Sequence, residues 1–342
     1  MRFLISISLF LLLALPVVPA VLPQDVFERA EECYRAGKTA EAEALYSRVA
    51  SSHANFRQTL VRLGTIYYAT GRAALAEERF RQALRIQETA DILALLAGSQ
   101  FNQKKFDDAH KSATRALSLN PRHVKAYTAL GMIYTALKSW PDADAAYREA
   151  LRLEPKDSST WYLQGRSYYL RNEFVKAREA FETALKLSPE SLRVYENLAL
   201  TLDLLGDWSA AQKVFEAGVR ENRNRERGEA RIHIAYGTFL FKLHRLEESR
   251  GQLEEAVRLE PENPEAYYEL SKTLFGLRRL GDAANAAETA LRVGEADYRV
   301  HFLLSRIYTA LGDKAAASRH AELAATLADP APASGRKQPP TN

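Results

Sequence analysis

The chain is nearly without cysteine. Cys33 stands alone among 342 residues, so no disulfide can close within it, and pairing between chains is the one oxidative option left. Cys33 falls on the apolar face of the first expected helix pair, where a buried thiol packs as a small hydrophobe. Charge of one sign is also scarce. The 47 basic side chains exceed the 43 acidic ones by only four, and they are dispersed. That excludes the concentrated basic face that nucleic acid requires. Catalytic motifs are missing: there is no His-Glu-x-x-His helix, no Gly-x-Ser-x-Gly elbow and no phosphate-binding glycine loop. The histidines (His53, His110, His123, His233, His244, His301 and His320) are scattered without metal-ligand spacing. The chain therefore reads as a non-enzyme, with no catalytic residue, metal or cofactor expected.

What is present begins at the N-terminus. Arg2 precedes an apolar run from Phe3 to Leu15; Pro16 breaks it, and Val18-Pro19-Ala20 follows with modest side chains. This pattern predicts a cleaved secretory signal over residues 1–20, and hence an exported protein, periplasmic or secreted. An uncleaved membrane anchor is the alternative, since Phe3 to Leu22 lacks charge and is about long enough to span. At the other end, residues 329–342 carry Pro330, Pro332, Pro339 and Pro340 with almost nothing to bury, which predicts a disordered tail.

Between these ends lies a period. Pro121, Pro155 and Pro189 close helical segments 34 residues apart, and Pro261 follows after one larger interval. Gly64, Ala97, Gly131, Gly165, Ala199, Gly237, Ser271 and Ser305 form a second series at nearly the same step. Ala42, Ala76, Ala109, Ala143, Ala177, Ala211, Ser249, Ala283 and Ala317 form a third. Small residues at a fixed phase are needed where two helices approach too closely for larger side chains, so each unit is two antiparallel helices.

The strings Tyr127-x-x-Leu130-Gly131-x-x-Tyr134, Ala143-x-x-x-Tyr147, Ala150 and Pro155 recur as Trp161, Gly165, Tyr168, Ala177, Phe181, Ala184 and Pro189. In these the chain resembles the tetratricopeptide repeat (TPR) family over roughly residues 23–328. The resemblance implies an all-α, right-handed superhelical solenoid of helix-turn-helix repeats, with a concave groove lined by the first helix of each unit. About nine units are expected over residues 21–328, starting near 23, 57, 90, 124, 158, 192, 230, 264 and 298. Gly37, Gly71, Lys138, Asn172, Gly206 and Gly312 should end first helices at positive φ. Asp107, Asp108 and Asp142 suit the positive start of second helices. Four extra residues near 220–229 lengthen either a helix or a loop, dividing the array into units one to six (21–222) and seven to nine (230–328).

Reading the first helices at groove spacing gives aromatics and cations. The expected ligand groove comprises Tyr162, Arg166, Tyr169, Arg193, Asn197, Arg231, Phe241, Tyr268 and Lys272, with fewer acidic positions: Asp91, Glu196, Asp203 and Glu265. Rigid aromatics and arginines suit a protein or peptide partner. Arginine forks suit one bearing an acidic or C-terminal carboxylate. Some family members clamp peptide C-termini with Lys and Asn on three first helices. At the matching positions Asn197 fits and Arg231 is conservative, while Tyr162, Arg166 and Ala235 depart. The expected function is a non-enzymatic protein-interaction scaffold or adaptor in the cell envelope. The alternative is a glycan-binding module that stacks sugars or cell-wall strands on the aromatic groove.

Overall fold

The structure, a computed structural model, describes residues 23–225 and 228–328. The expected signal (1–20) and tail (329–342) lie outside the described residues, as do Glu226 and Arg227 of the irregular segment. Among the described residues there are eighteen α-helices and no strand, in two compact units divided between Leu153 and Glu154.

The first unit holds α1 (Pro23–Arg35), α2 (Thr39–Tyr46), α3 (Phe56–Ala69), α4 (Ala73–Ile86), α5 (Ala90–Asn102), α6 (Phe106–Leu119), α7 (Val124–Ala136) and α8 (Trp140–Leu153). The second holds α9 (Ser158–Leu170), α10 (Phe174–Leu187), α11 (Leu192–Leu204), α12 (Trp208–Arg223), α13 (Ala230–Lys242), α14 (Leu246–Leu259), α15 (Pro264–Gly276), α16 (Leu280–Val293), α17 (Tyr298–Leu311) and α18 (Lys314–Ala328). Within each unit every helix packs on its successor, most extensively within the pairs α1/α2 through α17/α18.

The small-residue series has a direct steric cause. A Cβ added to Gly64 would lie 2.5 Å from the Phe80 ring, and one on Gly131 2.5 Å from Tyr147. The second unit repeats the device, with Gly165 against Phe181 at 2.7 Å and Gly237 against Leu253 at 2.6 Å. Each knob is fully buried, so the glycine lets the second helix seat a large side chain against the first helix backbone. The closing prolines have a partner too: Tyr127 donates to the Pro121 carbonyl at 3.2 Å, and Trp161 to that of Pro155 at 2.9 Å.

Every pair turns through a left-handed residue. Gly37, Gly71, Gly206 and Gly312 do so without a Cβ penalty, while Lys104, Lys138, Asn172, His244 and Arg278 adopt the same positive φ with one. The four extra residues near 220–229 divide evenly. α12 has 16 residues where the other complete second helices before it have 14, and the linker 224–229 takes the rest. That linker is stitched: Asn222, 2% exposed, donates to the Glu229 carbonyl at 2.9 Å and accepts from its N–H at 2.8 Å. The irregular segment thus sits inside the second compact unit, whose border falls after Leu153. Cys33, expected to be buried, is only half-buried, with Sγ 3.8 Å from the Glu41 carboxylate.

Candidate functional site

All nine expected groove residues lie in the second unit, on its first helices: Tyr162, Arg166 and Tyr169 on α9, Arg193 and Asn197 on α11, Arg231 and Phe241 on α13, and Tyr268 and Lys272 on α15. The structure sorts them into three groups. Arg193 and Arg231 line a cavity of about 630 Å³ framed by α11, α13 and α15, whose apolar surface comes from Leu200, Ile234, Ala235 and Phe239. Around that apolar floor the wall is mostly charged, with Arg193, Arg231 and Lys242 set among Glu196, Asp203, Glu229, Glu260 and Glu265.

Tyr162, Arg166, Tyr169 and Asn197, on α9 and α11, form the second group. Asn197 donates to the Tyr162 hydroxyl at 3.4 Å and to the Arg193 carbonyl at 2.8 Å. The Arg166 guanidinium lies 6.0 Å from the Tyr162 ring centre. The Tyr162 and Tyr169 rings pack within their own repeat, against Phe181 at 5.9 Å and Phe174 at 5.7 Å. Burial, with Asp203 nearby, pushes the Tyr169 phenol above its ordinary range. Phe241, Tyr268 and Lys272 are the third group. The Lys272 ammonium sits 5.2 Å from the Phe241 ring and 5.3 Å from Tyr268, whose ring also has the Arg299 guanidinium 4.9 Å away. These rings hold the protein's own cations.

Through its Nε, Arg231 holds Glu196 at 2.8 Å, while most of its side chain stays in solvent. Glu196 is 8% exposed, and burial pushes its carboxyl above the usual range even though Arg231 pulls the other way. Lys272 is likewise held by Glu269 at 2.7 Å. Lys242, which sequence reasoning passed over, clasps Asp203 at 2.7 Å in the same cavity. Arg166 and Arg193, by contrast, have no carboxylate within ion-pair distance among the described residues. Glu229, Glu260 and Asn263 also line the cavity and were missed, because they sit in the joints between repeats rather than on a first-helix stripe. Among the described residues no cluster of three or more His, Cys, Asp or Glu could hold a metal ion, and no helix is long and apolar enough to cross a membrane.

Comparison with known proteins matches this architecture. Two profiles match: the cilia and flagella-associated protein 70 C-terminal domain over residues 20–235, and the tetratricopeptide repeat over residues 237–280 and 268–333. No curated protein matches the chain. Among solved structures, yeast Tom70 is similar with a TM-score of 0.61 at 16% identity, covering 94% of this chain and 67% of that one. PilW, a widely conserved type IV pilus biogenesis factor, is similar at 0.52 and 23% identity, covering 59% of this chain and 92% of that one. A tetratricopeptide repeat protein from Parabacteroides merdae ATCC 43184 is similar at 0.52 and 18%, covering 73% and 98%. At such identities these likenesses establish the fold alone. Because the first profile covers more than half of the sequence, the chain belongs to the family of the cilia and flagella-associated protein 70 C-terminal domain, built here of tetratricopeptide repeats.

Proposed function

We propose that the chain is a non-enzymatic scaffold that holds a protein or peptide segment in the groove of its second unit. The observation carrying this reading is the 630 Å³ cavity between α11, α13 and α15, with its apolar floor and, on its wall, Arg193, which makes no ion pair among the described residues although it lies near enough to Glu196 to favour its charged form. An extended segment would lay apolar side chains over Leu200, Ile234 and Ala235, and Arg193 would take an acidic side chain or terminal carboxylate bidentately. Arg166 on the neighbouring first helix supplies a second such position. The paired groups, Glu196 with Arg231 and Asp203 with Lys242, set the walls and reject segments that place an uncompensated charge against them.

A location beyond a membrane belongs to this proposal and rests on the apolar run Phe3 to Leu15. Site-directed photo-cross-linking in the native cells tests the function. A photoreactive residue replacing Ala235 should trap a defined partner that one replacing the exposed Glu179 on α10 does not. Arg193→Glu should abolish the adduct while leaving helicity intact. Equal labelling from both positions, or an adduct indifferent to Arg193→Glu, rejects the groove as the binding surface.

A further inference from the structure

The last repeat carries a histidine pair that the scaffold reading does not use. His301 on α17 and His320 on α18 meet Nδ1 to Nδ1 at 2.9 Å, with rings stacked at 5.2 Å, and they are 8% and 7% exposed. Two repeats earlier the same structural positions hold His233 and Gln252, joined Nδ1 to Oε1 at 2.9 Å over the same separation of 19 residues. The chain thus contains one version of the contact with two titrating rings and one in which a single ring faces an amide.

The contact matters more at the end of the array. α18 buries only Ala317, His320 and Ala324, so His320 is its one large anchor. The second helices α4, α8, α10, α12 and α14 instead bury Phe80, Tyr147, Phe181, Phe215 and Leu253, while α6 and α16 bury small residues but are flanked by repeats on both sides.

We infer that the His301–His320 pair is an acid-sensitive latch, which holds α18 on α17 while at most one ring is protonated and releases it when both are. The chemistry is a proton count. A single Nδ1–H can lie between the two nitrogens, whether its ring is neutral or cationic. With both rings protonated, two N–H groups oppose each other at a 2.9 Å separation and two like charges share a buried site. The surrounding groups do not rescue the doubly charged state. From α16 comes Glu288, which accepts the Tyr308 hydroxyl. From α17 come Tyr308, stacked on His320 at 5.6 Å, and the cap Asp297, already bound to Arg299. From α18 comes Arg319, a further positive charge, and from α15 Tyr267 packs against the adjoining apolar cluster. Burial, the largest cause at each ring, holds both histidines below their ordinary 6.5. The open form therefore binds more protons than the closed one below about pH 6.5, and opening is favoured as pH falls.

Hydrogen exchange on the full chain, corrected for intrinsic rates and compared between pH 7.5 and 5.5, tests this. Protection over residues 314–328 should fall by about tenfold or more relative to α16 in the wild type. In His320→Gln, which reproduces the His233–Gln252 contact and leaves His301 alone to titrate, the fall should be at most about half as large on a logarithmic scale. Wild-type protection that is flat across this range, or an equal fall in His320→Gln, overturns the latch. Imidazole 15N titration of the unmodified protein serves as a second measurement. Both rings must be neutral or share one proton at pH 7.5, and the second protonation must coincide with the loss of α18 protection. Rings that both charge while α18 stays protected refute the inference whatever the variant does.

Discussion

Arg231 of one repeat reaches back 35 residues to hold the Glu196 carboxylate at 2.8 Å, the guanidinium largely in solvent and the carboxylate beneath it. The asymmetry has a consequence. Removing the cation strands a buried carboxylate. Arg231→Ala should cost about 1–2 kcal/mol at pH 8, more than an exposed pair alone would be worth. Glu196 already has a raised pKa in the folded state, and losing Arg231 raises it further. Its contribution is therefore favourable at low pH and is lost as pH climbs above the unfolded value near 4.5. Urea midpoints of variant and wild type should converge between pH 8 and pH 5; a constant gap contradicts this assignment.

Glu77 gives the opposite slope. It is 7% exposed, and burial alone would raise its pKa, yet hydrogen bonds from Lys105, Arg81 and Gln103 bring it down to about 2. A lowered carboxyl adds stability above the unfolded pKa of 4.5 and loses it as pH falls toward 2. Glu77→Gln should destabilise the first unit by about 1–3 kcal/mol at pH 7, after allowance for the half-exposed cations, and the variant should match wild type near pH 2. Fluorescence-detected urea unfolding across that range makes the comparison.

The glycine knobs predict an overpacking cost. In Gly165→Ala the new methyl would meet the Phe181 ring at 2.7 Å, which should cost about 1–3 kcal/mol. Phe181→Leu should itself destabilise but recover part of the Gly165→Ala loss in the double variant. A thermal double-mutant cycle with no coupling rules out the contact as the cause.

Turn strain runs the other way. Lys138 adopts φ 59° at the end of a first helix. Lys138→Gly should stabilise by about 0.5–1 kcal/mol, because relief of the Cβ clash outweighs the added entropy of the unfolded chain. Ala145→Gly, at an exposed position in the interior of α8, should destabilise by a similar amount. Guanidinium midpoints should separate the two by sign.

Much of the repeat was legible in residue order. Helix starts at 90, 124, 158, 192, 230, 264 and 298 coincide with the expected unit starts, and α3 begins one residue before its expected start. Prolines and small residues set those boundaries locally. Six of the nine left-handed turn residues were also readable. Lys104, His244 and Arg278 were not, because only the repeat phase, and not a glycine or asparagine, marks those turns. The stitched linker at Asn222 was visible only as four surplus residues.

The site was legible as a surface but not as a set of pairs. That first helices would present Tyr162, Arg166, Arg193 and Arg231 follows from a helical period acting on one strand of sequence. That Arg231 pairs with Glu196, Lys242 with Asp203 and Lys272 with Glu269, while Arg193 and Arg166 make no ion pair among the described residues, does not. Period and phase are properties of neighbours along the chain, held by prolines, glycines and apolar spacing. Which charges neutralise one another depends on the rise and rotation between stacked helix pairs and on how deeply each carboxylate is buried, and those come only from packing.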